Sequence, residues 1–161
     1  MVSRKLSEVK DFMNKLLISD SFDKMLLVEA ELKTACELKL SGRVNKAFFD
    51  EDDPERNEDF LPWSRLKGLM LQAIKGNRTP LSFKIVFLLP RDNLNDIIIR
   101  NNLLVSPDDV AGMYLNIHFE KGELFLTSGT SLKVFTPDRT VEQMWDDAFL
   151  AFLKKHGIAT E

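Results

Sequence analysis

The chain has 161 residues, 44% of them hydrophobic and 29% charged, and its 22 basic and 25 acidic side chains leave a formal net charge of −3. That length and balance predict one globular domain over residues 1–161 with a substantial core, and the small acidic excess disfavours a mainly electrostatic nucleic-acid binder. A lone cysteine, Cys36, excludes an internal disulfide, and with only His118 and His156 beside it no Cys/His zinc site is expected.

No apolar signal core follows residues 1–5. No uncharged apolar run approaches the roughly 18–20 residues that cross a bilayer, so a cytoplasmic protein with no membrane partner is expected. Phenylalanine outnumbers tyrosine 12 to 1, so most of the aromatic supply is apolar and available for packing.

In chain order, Val9, Phe12, Met13, Leu16 and Leu17 recur at helical spacing and predict a helix over 7–18 capped by Ser7. Residues 30–40 then alternate, with Ala30, Leu32, Thr34, Cys36, Leu38 and Leu40 on one face, which predicts a single long strand with Cys36 buried. Gly42 turns the chain toward 44–49, a predicted partner strand. Residues 50–59 hold seven carboxylates and Pro54, an acidic surface loop.

A second helix is predicted over 60–75, with Trp63, Leu66, Met70 and Ala73 in one stripe and Gly76 as its stop. Residues 81–89 alternate as a strand with Leu81, Phe83, Ile85, Phe87 and Leu89 inward. Pro90 ends it, and Asp92 is placed to cap a helix carrying Leu94, Ile97 and Ile98. Ser106 followed by Pro107, Asp108 and Asp109 reads as a capped first turn.

The strongest local signal is a hairpin, 113–120 and 123–128 about Lys121-Gly122, with Phe119 facing Leu124 and Ile117 facing Leu126. Ser128-Gly129-Thr130 is read as a further turn into a strand over 131–136. A last helix over 141–156 is expected, with a Thr140/Gln143 capping box and a stripe of Val141, Met144, Ala148 and Phe152. Hairpins mixed with non-alternating helices predict an α+β fold: one antiparallel or mixed sheet of about five or six strands with about four helices.

Chemistry is harder to find. There is no dinucleotide or nucleotide-phosphate glycine motif and no nucleophile elbow. The hydroxyl-rich 127–131 segment reads either as an anion cradle or as an ordinary turn. The carboxylates of 50–59 lack a calcium loop's glycine and spacing, and Asp146 and Asp147 point in different directions on a helix. Both acidic groups are therefore read as solvated surface. No catalytic set, cofactor or metal is assigned.

What remains is a candidate binding surface. Lys84, Tyr114, Asn116, His118, Thr127 and Lys133 fall on the sheet face opposite the apolar one, a mixed face that is either exposed or covered by a helix. Lys75 and Arg78 flank Gly76-Asn77 as a basic loop, in a cluster with Arg65, Lys67 and Lys84. The reading is a non-catalytic binding or assembly module taking a protein partner, a second copy or a small ligand. The alternatives are an enzyme using His118, Tyr114 and Lys133, or a weak nucleic-acid or anion binder through the basic loop.

Three stretches, FDKMLLVEA at 22–30, IKGNRTPLSFKIVF at 74–87 and GTSLKVFT at 129–136, resemble an uncharacterised bacterial family of small cytosolic proteins, a domain of unknown function. The resemblance spans nearly the whole chain. It implies a stand-alone bacterial domain and transfers no activity, cofactor or site residue.

Overall fold

Alternating segments and turn residues build six strands and four α-helices in a computed structural model that describes residues 1–76 and 78–161. The strands are β1 (Ser3–Lys5), β2 (Leu26–Lys33), β3 (Glu37–Ser41), β4 (Ser82–Leu88), β5 (Val110–Glu120) and β6 (Glu123–Leu132). The helices are α1 (Val9–Leu17), α2 (Trp63–Ile74), α3 (Arg91–Arg100) and α4 (Thr140–Lys155). One sheet runs in the order β1-β6-β5-β4-β2-β3, and every neighbouring pair is antiparallel. The fold is α+β, with an antiparallel sheet.

The β5–β6 hairpin has the predicted register, Phe119 opposite Leu124 and Ile117 opposite Leu126. Its turn works because Lys121 and Gly122 both take positive φ, 53° and 77°, matching the twist of the flanking strands. Beyond it the expected second turn is absent. Ser128, Gly129 and Thr130 continue β6, pairing with Leu115, Tyr114 and Met113. The Ser128 hydroxyl finds partners outside its own strand: it donates to Asp146 and accepts from the Val2 amide at 2.9 Å. The place expected for 131–136 is taken by β1, with Lys5 opposite Phe125 and Ser3 opposite Thr127, and Val134 is 45% exposed.

The long strand expected over 30–40 is in fact the β2–β3 hairpin. Ala30 pairs with Leu40 and Leu32 with Leu38, so the inward face is the same on both strands and the alternation passes through the turn unbroken. Cys36 sits in that turn and is exposed, not buried. No partner strand forms over 44–49. Arg43 instead bridges to Phe60, and Lys46–Phe48 is a 3-10 turn.

All four helices contribute to the apolar core on one side of the sheet, so the opposite face is uncovered. A larger cluster joins Phe12 and Leu16 of α1, Trp63 and Met70 of α2, and Phe149 and Leu153 of α4 to Phe83, Ile85, Phe87, Leu115, Ile117 and Leu124. A smaller cluster joins Leu94 and Ile98 of α3 to Val110, Met113, Val141 and Trp145.

Helix phase, caps and burial correct the sequence reading at several positions. The buried stripe of α4 is Val141, Trp145, Phe149 and Leu153, one residue on from the expected one. Its start is held by Asp138, which accepts from the Thr140 amide at 2.9 Å and from the Thr140 hydroxyl. Neither Ser7 nor Asp92 caps a helix; Glu8 and Pro90 occupy those positions. Leu81 and Ala73, both expected to face inward, are exposed.

The two sheet edges differ. β1 is flanked by the last residues of the chain, with Leu6 bridged to Thr160 and the Glu161 amide donating to the Lys5 carbonyl at 2.9 Å. β3, at the other end of the order, pairs only with β2.

Candidate functional site

The register lays out the uncovered sheet face row by row. One row reads Lys5, Phe125, His118, Lys84, Glu31, Lys39 from β1 to β3. The next reads Ser3, Thr127, Asn116, Val86, Glu29, Ser41. A third carries Gly129, Tyr114, Leu88 and Leu26. Lys84, Tyr114, Asn116, His118 and Thr127 therefore share one face, with Lys84 and His118 exposed and the other three half-buried, although Lys133 lies past the end of β6.

That face does not gather its polar groups into a reaction centre. Tyr114 and His118 lie four residues apart on one strand, about 13 Å along it, too far to act on one atom. His118 stands 3.6 Å from Glu120 and beside Lys84 over a depression of about 230 Å³ lined by Glu31, Lys33, Ser82 and Glu120. Its charges are largely matched: Lys84 faces Glu29 at 3.9 Å, and Lys5 lies 3.3 Å from Glu123. Glu123 first, and then Glu161, raise the Lys5 ammonium above its ordinary pKa. The Tyr114 ring lies across Gly112, where an added Cβ would be 2.8 Å from its Cε2.

The basic cluster disperses in three dimensions. Arg65 pairs with Glu55 and lies over the Phe49 ring, and Lys67 holds Asp23 at 2.6 Å and the Ser19 carbonyl at 2.9 Å. Lys84 is on the sheet face, whereas Lys75 and Arg78 follow α2 on the helical side. Asn77 lies outside the described residues.

Arg78 opens onto a feature the sequence reading missed. Between α1, α2 and the β4 and β5 ends runs an open groove of about 840 Å³. Val9, Met13, Leu17 and Ile18 form one wall and Leu71 and Ile74 the other, over a floor of Phe83 and Phe119 stacked at 5.2 Å. Lys10 and Arg78 are the only charged residues lining it, and among the described residues neither makes an ion pair. The signal was present in α1. Phe12 and Leu16 are buried in the core, whereas Val9 and Met13 pack against it only in part and Ile18 is exposed, which leaves apolar surface at the groove.

A second depression, about 450 Å³, lies between α3 and α4 where the two core clusters meet. Among the described residues no group of three or more His, Cys, Asp and Glu side chains is disposed to hold a metal ion. No described helix is long and apolar enough to cross a membrane.

No curated protein and no solved structure matched the chain. A family model did, over residues 15–161, which takes in every element described above except β1 and the start of α1. By that match the chain belongs to the family of unknown function DUF5721.

Proposed function

We propose that the protein is a non-catalytic binding module whose α1–α2 groove receives an acidic amphipathic helix of a protein partner. The observation that supports this reading is the groove itself, with apolar walls and floor and Lys10 and Arg78 as its only charged lining residues. An amphipathic helix presents apolar side chains at i, i+3, i+4 and i+7, which suits an open trough better than a closed cavity would. Unpaired cations at the margin favour acidic residues on the flanks of such a helix and speed its capture. The wide spacing of His118 and Tyr114 favours binding over catalysis. The matched charges of the sheet face and the pairing of Arg65 and Lys67 argue against a nucleic-acid surface.

The test is a synthetic amphipathic helix with leucines at that spacing and glutamates elsewhere, titrated into the protein beside a lysine counterpart. The glutamate peptide should bind more tightly and shift the methyl resonances of Met13 and Ile74. Lys10→Glu with Arg78→Glu should weaken it by about tenfold or more, roughly 1.4 kcal/mol. Equal affinity for both peptides, or an indifferent double variant, would sink the proposal.

A further inference from the structure

The seam between the two core clusters opens to the surface as a cleft of about 450 Å³. That volume lies within the range of small-ligand sites. Its floor is Met25, Leu89 and Leu115, with Trp145, Phe149 and Phe152 as walls. Space exists because α4 turns two small residues, Ala148 and Ala151, toward α3.

The walls are fixed before any ligand arrives. Trp145 Nε1 donates to the Tyr114 carbonyl at 2.9 Å. Phe152 is wedged between Phe22, at 5.3 Å, and His156, at 4.3 Å. Ordered walls reduce the entropy lost on binding.

The rim adds direction. Arg100 and Lys155 are the last residues of α3 and α4, and both line the cleft. Each complements the negative end of its own helix, but that alone does not require both to border one apolar cleft. Neither makes an ion pair among the described residues, and Asp96 is the only acid on the rim. Two side-chain cations stand against one carboxylate, and the partial negative ends of α3 and α4 offset part of that excess, so a head group must reach the cationic tips rather than the helix ends. From Trp145 to Lys155, ten residues of α4 span about 15 Å, the reach of an extended medium-length hydrocarbon chain.

We propose that the α3–α4 cleft binds a small monoanionic amphiphile, a carboxylate-headed hydrocarbon chain. Its head lies between Arg100 and Lys155, and its tail runs toward Trp145. This site is separate from the α1–α2 groove, and either can fail without the other.

The chain's two tryptophans make the test specific. Trp145 lines the cleft, while Trp63 is fully buried against Leu16 and reports whether the protein stays folded. Sodium decanoate, decanol and decylammonium are titrated into the full chain below their micelle-forming concentrations. Decanoate should shift the emission saturably at one site, a response lost in Trp145→Phe, and should raise the melting temperature. Its affinity should exceed that of decylammonium by about tenfold or more, and Arg100→Ala with Lys155→Ala should abolish that preference. Ala148→Leu with Ala151→Leu should weaken decanoate and decanol alike. The inference is overturned by a non-saturable response, by equal affinity for the cationic amphiphile, or by a preference that survives the Arg100/Lys155 double variant.

Discussion

The indole nitrogen of Trp63 donates to the Leu16 carbonyl oxygen at 2.8 Å, and both side chains are fully buried. Leu16 is in the last turn of α1, where carbonyls lack helical partners, and Trp63 opens α2. One bond thus closes the end of one helix and fixes its crossing with the next. Trp63→Phe should cost about 1–3 kcal/mol, because it leaves a buried carbonyl unpaired while preserving most of the ring volume. Urea unfolding measures this directly; a midpoint equal to the parent's would show that the bond carries nothing.

Ser128 is the buried polar residue of the core side, tied to Asp146 on α4 and to Val2 beside β1. Ser128→Ala should destabilise by about 1 kcal/mol, since it strips a partner from the part-buried Val2 amide and Asp146 carboxylate. Hydrogen exchange at Val2 should accelerate in the variant. Unchanged protection there would mean that the backbone pairing of β1 holds the strand without the hydroxyl.

Two glycines should respond differently to one added methyl. A Cβ on Gly42 would lie 1.9 Å from the Leu27 carbonyl oxygen, which belongs to the backbone beside the β2 bulge and cannot swing aside. At Gly112 the clash, at 2.7 and 2.8 Å, is with the Leu88 and Tyr114 side-chain ends. Gly42→Ala should cost toward or beyond the upper end of the about 1–3 kcal/mol typical of overpacking, and Gly112→Ala less. Gly112→Ala should instead displace the Tyr114 ring, visible in the resonances of the chain's only tyrosine.

Asp138 gives a pH prediction. The Thr140 hydroxyl first, and then the Thr140 amide, hold its carboxyl below the ordinary value of 3.8. A depressed folded-state pKa means that the stabilisation is present above pH 3.8 and is lost as pH falls below it, through the folded value. Exchange protection at the start of α4 should drop across that acid window. It should be lost at every pH in Asp138→Ala and retained without the acid step in Asp138→Asn, whose amide oxygen still accepts.

How far the sequence could be read depended on whether a local signal had one solution. Lys121-Gly122 admits only a tight turn, so the β5–β6 register was legible to the residue. The β2–β3 turn was not, because Leu32 and Leu38 sit at spacings that one continuous strand would also satisfy. In α4 the sequence offers two adjacent apolar stripes, and the bulkier Trp145, Phe149 and Leu153 take the core. The stripe expected to be buried supplies Ala148 and Phe152 to the cleft wall instead. α1 repeats the pattern, with Phe12 and Leu16 in the core and Val9 and Met13 on the groove. Surplus apolar width on a helix was the legible trace of both concave sites, but only the tertiary arrangement says which stripe is surplus. The mixed sheet face was legible from alternation; its exposure was not, since nothing local says on which side of a sheet the helices settle.

The unequal sheet edges limit how copies of this chain can join. Residues 159–161 lie against the Lys5 end of β1, and β3 offers the longer accessible row of backbone donors and acceptors for strand addition. Pairing β3 to β3 of a second molecule would use up the more open edge of each chain and so favours a closed pair. Head-to-tail stacking into a fibre requires two open edges per molecule, and the tail at the Lys5 end shortens what the three-residue β1 can offer as the second.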